Sequence, residues 1–99
     1  MDIKKSVTNY FRNLPVKKVY LFGSYAENKQ TESSDIDIVV DVDYSKQSVS
    51  LLDFIGWKID LEKSLGKKVD LVSEDGMSKH VRPFIDKAKI LLYEKPTWR

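Results

Sequence analysis

Cysteine is absent from the 99 residues, and histidine occurs once. Without thiols the chain can form neither disulfides nor a cysteine-based zinc site. Apolar runs stop at four residues, as in 19–22 and 90–93, far below the ~20 that span a bilayer. The 17 basic and 15 acidic residues nearly cancel, so we do not expect a nucleic-acid surface. These absences favour a cytoplasmic protein without membrane contact.

The apolar pattern predicts one domain over residues 1–94 and a C-terminal tail over 95–99. Apolar side chains make up 41% of the chain, enough for one core. Period-two segments predict four strands, namely Val16–Phe22, one that begins at Asp35, Lys68–Val72 and Ile90–Tyr93. Helical spacing or polar turns predict about four helices, one after Asp2, a short helical turn within 27–34, a long helix over about 48–65, and one over 77–88. The expected fold is α/β or α+β, a mixed sheet of about four strands flanked by about four helices.

The long helix carries apolar side chains around more than half of its circumference. Its predicted core-facing stripe consists of Leu51, Phe54, Ile55, Leu61 and Leu65. Trp57 and Ile59 lie off that stripe, and this excess of apolar surface favours a partner protein. The alternative is that the tail, with Trp98, covers it.

The chemistry is concentrated between Gly23 and Asp37. Gly23 ends a strand where the backbone can approach a phosphate, and Ser24 can offer an amide and a hydroxyl. Asp35 and Asp37, two apart on a strand, project from one face with Cα atoms roughly 6–7 Å apart. Carboxylates together with phosphate oxygens are the ligands that Mg²⁺ prefers, so the pattern predicts a site for a metal-bound triphosphate. The sequence contains no Gly-x-x-x-x-Gly-Lys-Ser/Thr, which excludes a P-loop.

A third carboxylate is expected near this pair, to accept the proton of an attacking hydroxyl. Asp70 is the candidate, because Val69 and Leu71 would face the core and Asp70 the opposite side. Asp41 has the right face but lies about 20 Å along the strand from Asp35. We therefore predict that Asp41, like Asp43, takes no part.

From Val16 to about Tyr93 the sequence resembles the minimal nucleotidyltransferases of the DNA polymerase β superfamily. The resemblance rests on Gly23-Ser24, on Ser34-Asp35-Ile36-Asp37 and on Asp70 in a later strand. It implies a nucleotidyltransferase fold and two Mg²⁺ ions held by Asp35, Asp37 and Asp70. The sequence departs from the family at Tyr25 and Glu27-Asn28, where such domains often have Arg and Arg-Gly.

The resemblance implies transfer of a nucleoside monophosphate, AMP from ATP, to a hydroxyl acceptor on a partner protein. Related small domains are antitoxins paired with a HEPN-type ribonuclease, so the expected partner is such a protein or a second copy of this chain. The alternative is a non-catalytic antitoxin or binding subunit that neutralises its partner by complex formation.

Overall fold

The computed structural model describes residues 2–45, 48–74 and 89–96. These ranges contain two helices and four strands, in the order α1 (Ile3–Phe11), β1 (Val16–Phe22), β2 (Ile36–Val42), α2 (Leu51–Leu65), β3 (Val69–Ser73) and β4 (Ile90–Glu94). The predicted strands are confirmed to within one residue at either end. The helix predicted over 77–88, His80 and Trp98 lie outside the described residues.

The four strands form one mixed sheet in the order β3-β2-β1-β4. β1 pairs antiparallel with both β2 and β4, whereas β3 runs parallel to β2. The parallel pair is joined through α2, because parallel neighbours need a crossover rather than a hairpin. The α+β class is thereby confirmed, and the starts of β2 and β3 meet at the same end of the sheet.

Two of the about four predicted helices lie in the ranges that the structure describes, and the one predicted over 77–88 falls outside them. No helix forms within 27–34, where a short helical turn and a loop were expected: residues 23–28 form turns, and 29–35 form a loop with a further turn at 32–33. This stretch has no apolar side chain after Ala26, so a helix there would have no face to bury. In the part of the chain that the structure describes, neither helix is long and apolar enough to cross a bilayer.

Helix α1 begins at the predicted cap, where the Asp2 carboxylate accepts a hydrogen bond from Lys5 N at 3.0 Å. Val7 and Phe11 are fully buried on its inner face. The outer turn is tied to α2, because the Tyr10 hydroxyl donates to Asp60 Oδ2 at 2.6 Å. Burial and this carboxylate raise the pKa of the Tyr10 hydroxyl well above its ordinary value. The two helices therefore form one layer on the sheet.

Helix α2 is bounded by a capping box of Ser50 and Asp53 and by Gly66 in the left-handed region, with φ of 68°. Its buried face differs from the predicted one, because the core-facing residues are Phe54, Trp57, Leu61 and Leu65. Trp57 is 7% exposed and meets Phe11 edge-on, with ring centroids 5.8 Å apart. Positions 51 and 55, assigned to the core from the sequence, are exposed. The spacing 54-57-61-65 is the better match to 3.6 residues per turn.

The two helices cover one face of the sheet. On that face β2 contributes Ile36, Ile38, Val40 and Val42, all buried, to the same core cluster as Phe11 and Trp57. The alternate residues of β2, which include Asp37 and Asp41, therefore point to the opposite face. The candidate carboxylates lie on the face that the helices leave open.

Candidate functional site

Asp37 and Asp70 lie directly beside each other on adjacent parallel strands. The register of β2 and β3 pairs Asp37 with Asp70, one step after Ile36 with Val69. Val69 is buried and Asp70 exposed, so both carboxylates project from the face away from the helices. Neighbouring strands are only ~4.8 Å apart, which makes this a close pair of like charges.

Asp35 precedes β2 by one residue and adds a third carboxylate to the pair. Burial raises the pKa of the Asp37 carboxyl above its ordinary value of 3.8, and the charges of Asp70 and then Asp35 raise it further. Like charges disfavour ionisation of a shared site, and a cation would relieve this. The structure thus places Asp70 and Asp35 near enough to Asp37 for their charges to act on its carboxyl group.

Gly23 borders the acidic site on the side of β1. Phe22, the last residue of β1, pairs with Asp37, and Gly23 follows with φ of 72°, in the left-handed region. A Cβ added to Gly23 would overlap Asp37 Oδ2 and lie 3.2 Å from its Cγ. Glycine is needed here both for the backbone conformation and for the space beside the carboxylate.

The backbone after Gly23 turns sharply and does not start a regular helix. Glu27 N donates to Gly23 O at 3.1 Å and Lys29 N to Ser24 O at 2.8 Å. Among the described residues, none accepts a hydrogen bond from the backbone N–H groups of residues 24–26. Consecutive amides without a partner can bind an anion, and this amide surface, residues 24–26, directly follows Gly23, which adjoins Asp37.

The departures at Asn28 and Glu27 have different structural consequences. Asn28 has φ of 58°, a conformation that glycine adopts freely and asparagine tolerates best among the other residues. The turn is therefore compatible with asparagine. Glu27 is exposed, so an acidic side chain borders the amide surface where related domains often have arginine.

Two polar interactions hold the loop that leads into Asp35. Thr31 N donates to Ser34 Oγ at 2.8 Å, and the Lys67 ammonium donates to Glu32 O at 2.8 Å. Lys67 lies in the connection between α2 and β3. Its partner is 35 residues distant in sequence, and no local pattern signals such a contact.

Asp41 and Asp43 lie apart from this site, as expected. Asp41 pairs with Lys18 near the opposite end of β2. Asp43 is buried and accepts hydrogen bonds from both the amide and the hydroxyl of Ser45. Asp43 therefore stabilises the turn after β2.

The donor set is chemically suited to a hard divalent cation, because it consists of carboxylate oxygens. The side chains do not form a complete metal site as they stand. Within the described ranges, no group of three acidic or histidine side chains is close enough to hold a metal ion. Burial and the charges of Asp70 and Asp35 raise the pKa of the Asp37 carboxyl, and a positive charge beside Asp37 would act in the opposite direction. The assignment of metal ligands remains a prediction.

Comparison with known proteins assigns the chain to a family. The model of the family described as polymerase beta, nucleotidyltransferase matches residues 5–97. The chain belongs to this family. It is 43% identical over 72 residues to a Methanocaldococcus jannaschii protein provisionally named a protein adenylyltransferase, covering 73% of this chain and 74% of that one.

Solved structures of the same fold agree with this assignment. A candidate minimal nucleotidyltransferase is similar with a TM-score of 0.71 and 29% identity, covering 91% of this chain and 95% of that one. A variant of the toxin-antitoxin pair MntA-HpeT gives a TM-score of 0.76 at 26% identity, covering 96% of this chain and 74% of that chain. The nucleotidyltransferase fold expected from the sequence is confirmed.

Proposed function

We propose that this domain transfers AMP from Mg-ATP to a hydroxyl group of a partner protein. The observation that carries the proposal is the position of Asp37, between a third-strand carboxylate and a turn that only glycine fits. A cation-dependent phosphate site requires acidic ligands and phosphate-binding amides in contact with each other. The relative with 43% identity, provisionally named a protein adenylyltransferase, supports the same chemistry.

The nucleotide is bound through the turn after β1. The amides of residues 24–26 and the Ser24 hydroxyl donate hydrogen bonds to its phosphate oxygens. The lack of a side chain at Gly23 lets a phosphate lie against both this turn and the Asp37 carboxylate. This arrangement fixes the α-phosphate beside the acidic group.

Asp35, Asp37 and Asp70 are the residues that would hold Mg²⁺, with two ions shared between them and the triphosphate. When bound, the metal neutralises the charges of the phosphates and of the aspartates. The protein's own contribution is to hold Asp37 and Asp70 on two paired strands, with Asp35 one residue before β2, so that the acceptor and the nucleotide meet at one place.

Asp70 is proposed to accept the proton of the attacking hydroxyl. The acceptor oxygen forms a bond to the α-phosphorus, the bond from that phosphorus to the bridging oxygen of the β-phosphate breaks, and pyrophosphate leaves. The hydroxyl proton passes to the Asp70 carboxylate. Asp70 is exposed on the outer strand β3, where an acceptor segment can reach it from outside the sheet.

The acceptor is proposed to belong to a HEPN-type partner protein. The similar MntA-HpeT structure is that of a toxin-antitoxin pair. The outer face of α2 presents four exposed large aliphatic side chains, Leu51, Leu52, Ile55 and Ile59. Such a continuous apolar surface favours burial against another protein.

A non-catalytic antitoxin is the second candidate. The acidic side chain of Glu27 beside the amide surface favours it, because a like charge weakens phosphate binding. In that case the partner would be neutralised by complex formation alone.

Co-expression with a HEPN-type protein captured on this domain from the native cell, followed by intact mass measurement of that protein, tests the proposal. We expect the added mass of one or more adenylyl groups with wild type and with Asp41→Asn, a matched control on the same strand. Asp37→Asn should give the complex without added mass. A stable complex in which wild type adds no mass would favour the second candidate instead.

A further inference from the structure

Lys68 lies beside Asp35, at the end of the sheet that carries the proposed site. Its backbone oxygen accepts a hydrogen bond from Ile36 N at 2.9 Å, one step before the pairing of Ile36 with Val69. Continued by one residue in this direction, the parallel register brings Lys68 to the level of Asp35. The pairing of β2 and β3 thus extends beyond the regular strands to both residues.

Lys68 also lies on the same face of the sheet as Asp70. Val69, between them, is buried against the helices, whereas Lys68 and Asp70 are both exposed. Alternate residues of an extended segment share a face, with Cα atoms roughly 6–7 Å apart. Because Asp70 is proposed to take the proton of the attacking hydroxyl, a lysine lies close to the place of the acceptor.

The Lys68 side chain borders a cleft and is available to a ligand. Among the residues that the structure describes, none forms a hydrogen bond or an ion pair with its ammonium. The neighbouring Lys67 differs, because its ammonium donates to Glu32 O. That hydrogen bond joins the loop 32–35 to residues 66–68, and between these two segments lies a cleft of about 390 Å³. Asp35 and Lys68 both line it.

The sheet order places this cleft on the side of the aspartates away from the phosphate-binding turn. β3, which follows Lys68, pairs with one edge of β2, and β1, which leads into Gly23, pairs with the other. In phosphoryl transfer the attacking and leaving oxygens lie roughly in line, on opposite sides of the phosphorus. With the triphosphate at the turn after β1, the acceptor approaches from the side of β3, where the cleft lies.

We propose that this cleft is the acceptor subsite and that the Lys68 ammonium binds an oxygen atom of the acceptor polypeptide, next to the hydroxyl that receives AMP. This inference rests on the proposed function and names the contact through which the partner enters the site. An ammonium has three donors on a flexible stem, so it can bind a backbone carbonyl or a carboxylate oxygen. The hydroxyls of Ser33 and Ser34 also line the cleft, which suits a polypeptide segment that must keep its hydrogen bonds. Lys68 is thus a positioning residue that holds the acceptor near Asp70.

The experiment measures transfer and nucleotide binding separately for wild type, Lys68→Gln, Lys68→Arg and Lys18→Gln. The acceptor is the HEPN-type protein captured on this domain, produced in a cell-free system so that it is unmodified, and α-labelled ATP gives kcat/KM for it. Calorimetry with Mg²⁺ and a non-hydrolysable ATP analogue gives the nucleotide affinity. Lys18 is the matched control, because it is paired with Asp41 on the same sheet, near its other end.

We expect Lys68→Gln to lower kcat/KM for the acceptor protein by about tenfold, as for loss of one charge-assisted contact. Its nucleotide affinity should equal that of wild type. Lys68→Arg should restore most of the rate, because a guanidinium also donates to oxygen, and Lys18→Gln should match wild type. If the difference between wild type and Lys68→Gln shrinks at high salt, the bound oxygen is that of a carboxylate, and if it persists, that of a carbonyl.

Weaker nucleotide binding by Lys68→Gln would assign the lysine to the phosphates and overturn the inference. A wild-type kcat/KM in Lys68→Gln would overturn it as well. Both results leave the proposed function intact, because wild type still transfers AMP. If wild type itself transferred no AMP to the acceptor protein, the proposed function would fail, and this inference with it.

Discussion

Gly23 and Asp37 are in such close contact that a Cβ on the glycine would overlap the carboxylate oxygen of the aspartate. The relationship joins the end of β1 to the second residue of β2 and couples the phosphate-binding turn to the acidic group. It also explains why the sequence has glycine at a position where the backbone has φ of 72°.

Gly23→Ala is predicted to lose both stability and nucleotide binding. Gly66→Ala is the matched control, since Gly66 has φ of 68° but no atom within 4 Å of an added Cβ. The control should cost only the ~1–2 kcal/mol of placing alanine in the left-handed region. Gly23→Ala should cost more than the control, because the Asp37 side chain must also move. Urea titrations measure the free energy of unfolding of both variants, and an equal loss of stability in the two would contradict the close contact.

Stability of the metal-free protein is predicted to fall as pH rises above about 4. The folded-state pKa of the Asp37 carboxyl lies above its ordinary value of 3.8, so the folded chain binds this proton more tightly than the unfolded chain. The resulting stability is present below the unfolded pKa and is lost as pH rises through the folded one. Asp37→Asn should be more stable than wild type at neutral pH in EDTA, with the difference shrinking towards pH 4.

Unfolding midpoints between pH 4 and 8 test this expectation, with Asp41→Asn as the control for loss of one negative charge. The control should follow the wild-type pH dependence, because Asp41 lies away from the acidic pair. Parallel curves for Asp37→Asn and wild type would show that the carboxylates do not oppose one another.

Glu27→Arg is predicted to tighten Mg-ATP binding. Glu27 is exposed in the turn after Gly23, and a guanidinium there would approach the phosphates with a favourable charge. The expected gain is up to ~1–2 kcal/mol, or roughly tenfold in affinity. Glu94→Arg, with the same change in net charge at the far end of the sheet, should have little effect. Unchanged affinity in Glu27→Arg would mean that its side chain points away from the nucleotide.

The strands and the acidic cluster could be predicted from the sequence because both depend on local patterns. Alternation of Ile36, Ile38 and Val40 with aspartates defines a strand and assigns the aspartates to its open face. From the sequence, Asp37 and Asp70 could be assigned only to the same face of the sheet. Their direct pairing depends on the register of β2 and β3, which is set by the crossover through α2. The contact between Gly23 and Asp37 likewise exists only once β1 and β2 are paired.

The errors concerned helices, where side-chain direction depends on packing. Trp57 was assigned to an outer face, yet it fills the space between α2 and Phe11 of α1. Its role depends on the crossing of two helices that are distant in sequence, and a single helix pattern carries no such information. A helical turn was also predicted for the polar segment 27–34, although this segment has no apolar face to bury.

Asp70→Asn is predicted to separate binding from transfer. Asp70 is exposed on β3 and is proposed to take the acceptor's proton. Asp35 and Asp37 remain as cation ligands in this variant, so Mg-ATP affinity should stay within a few fold. Transfer should fall by ~10²–10⁴, the usual range for a lost general base. Incorporation of α-labelled ATP into the partner measures the rate. Transfer at the wild-type rate would show that Asp70 is not the base.

Calorimetry with Mg²⁺ and a non-hydrolysable ATP analogue tests the central claim most directly. Wild type and Asp41→Asn should bind with equal affinity, and binding should be lost when Mg²⁺ is removed. Asp35→Asn and Asp37→Asn should each weaken binding strongly, because each removes an oxygen ligand of the cation. Binding that is the same in wild type and Asp37→Asn, or no binding by wild type at all, would contradict the account.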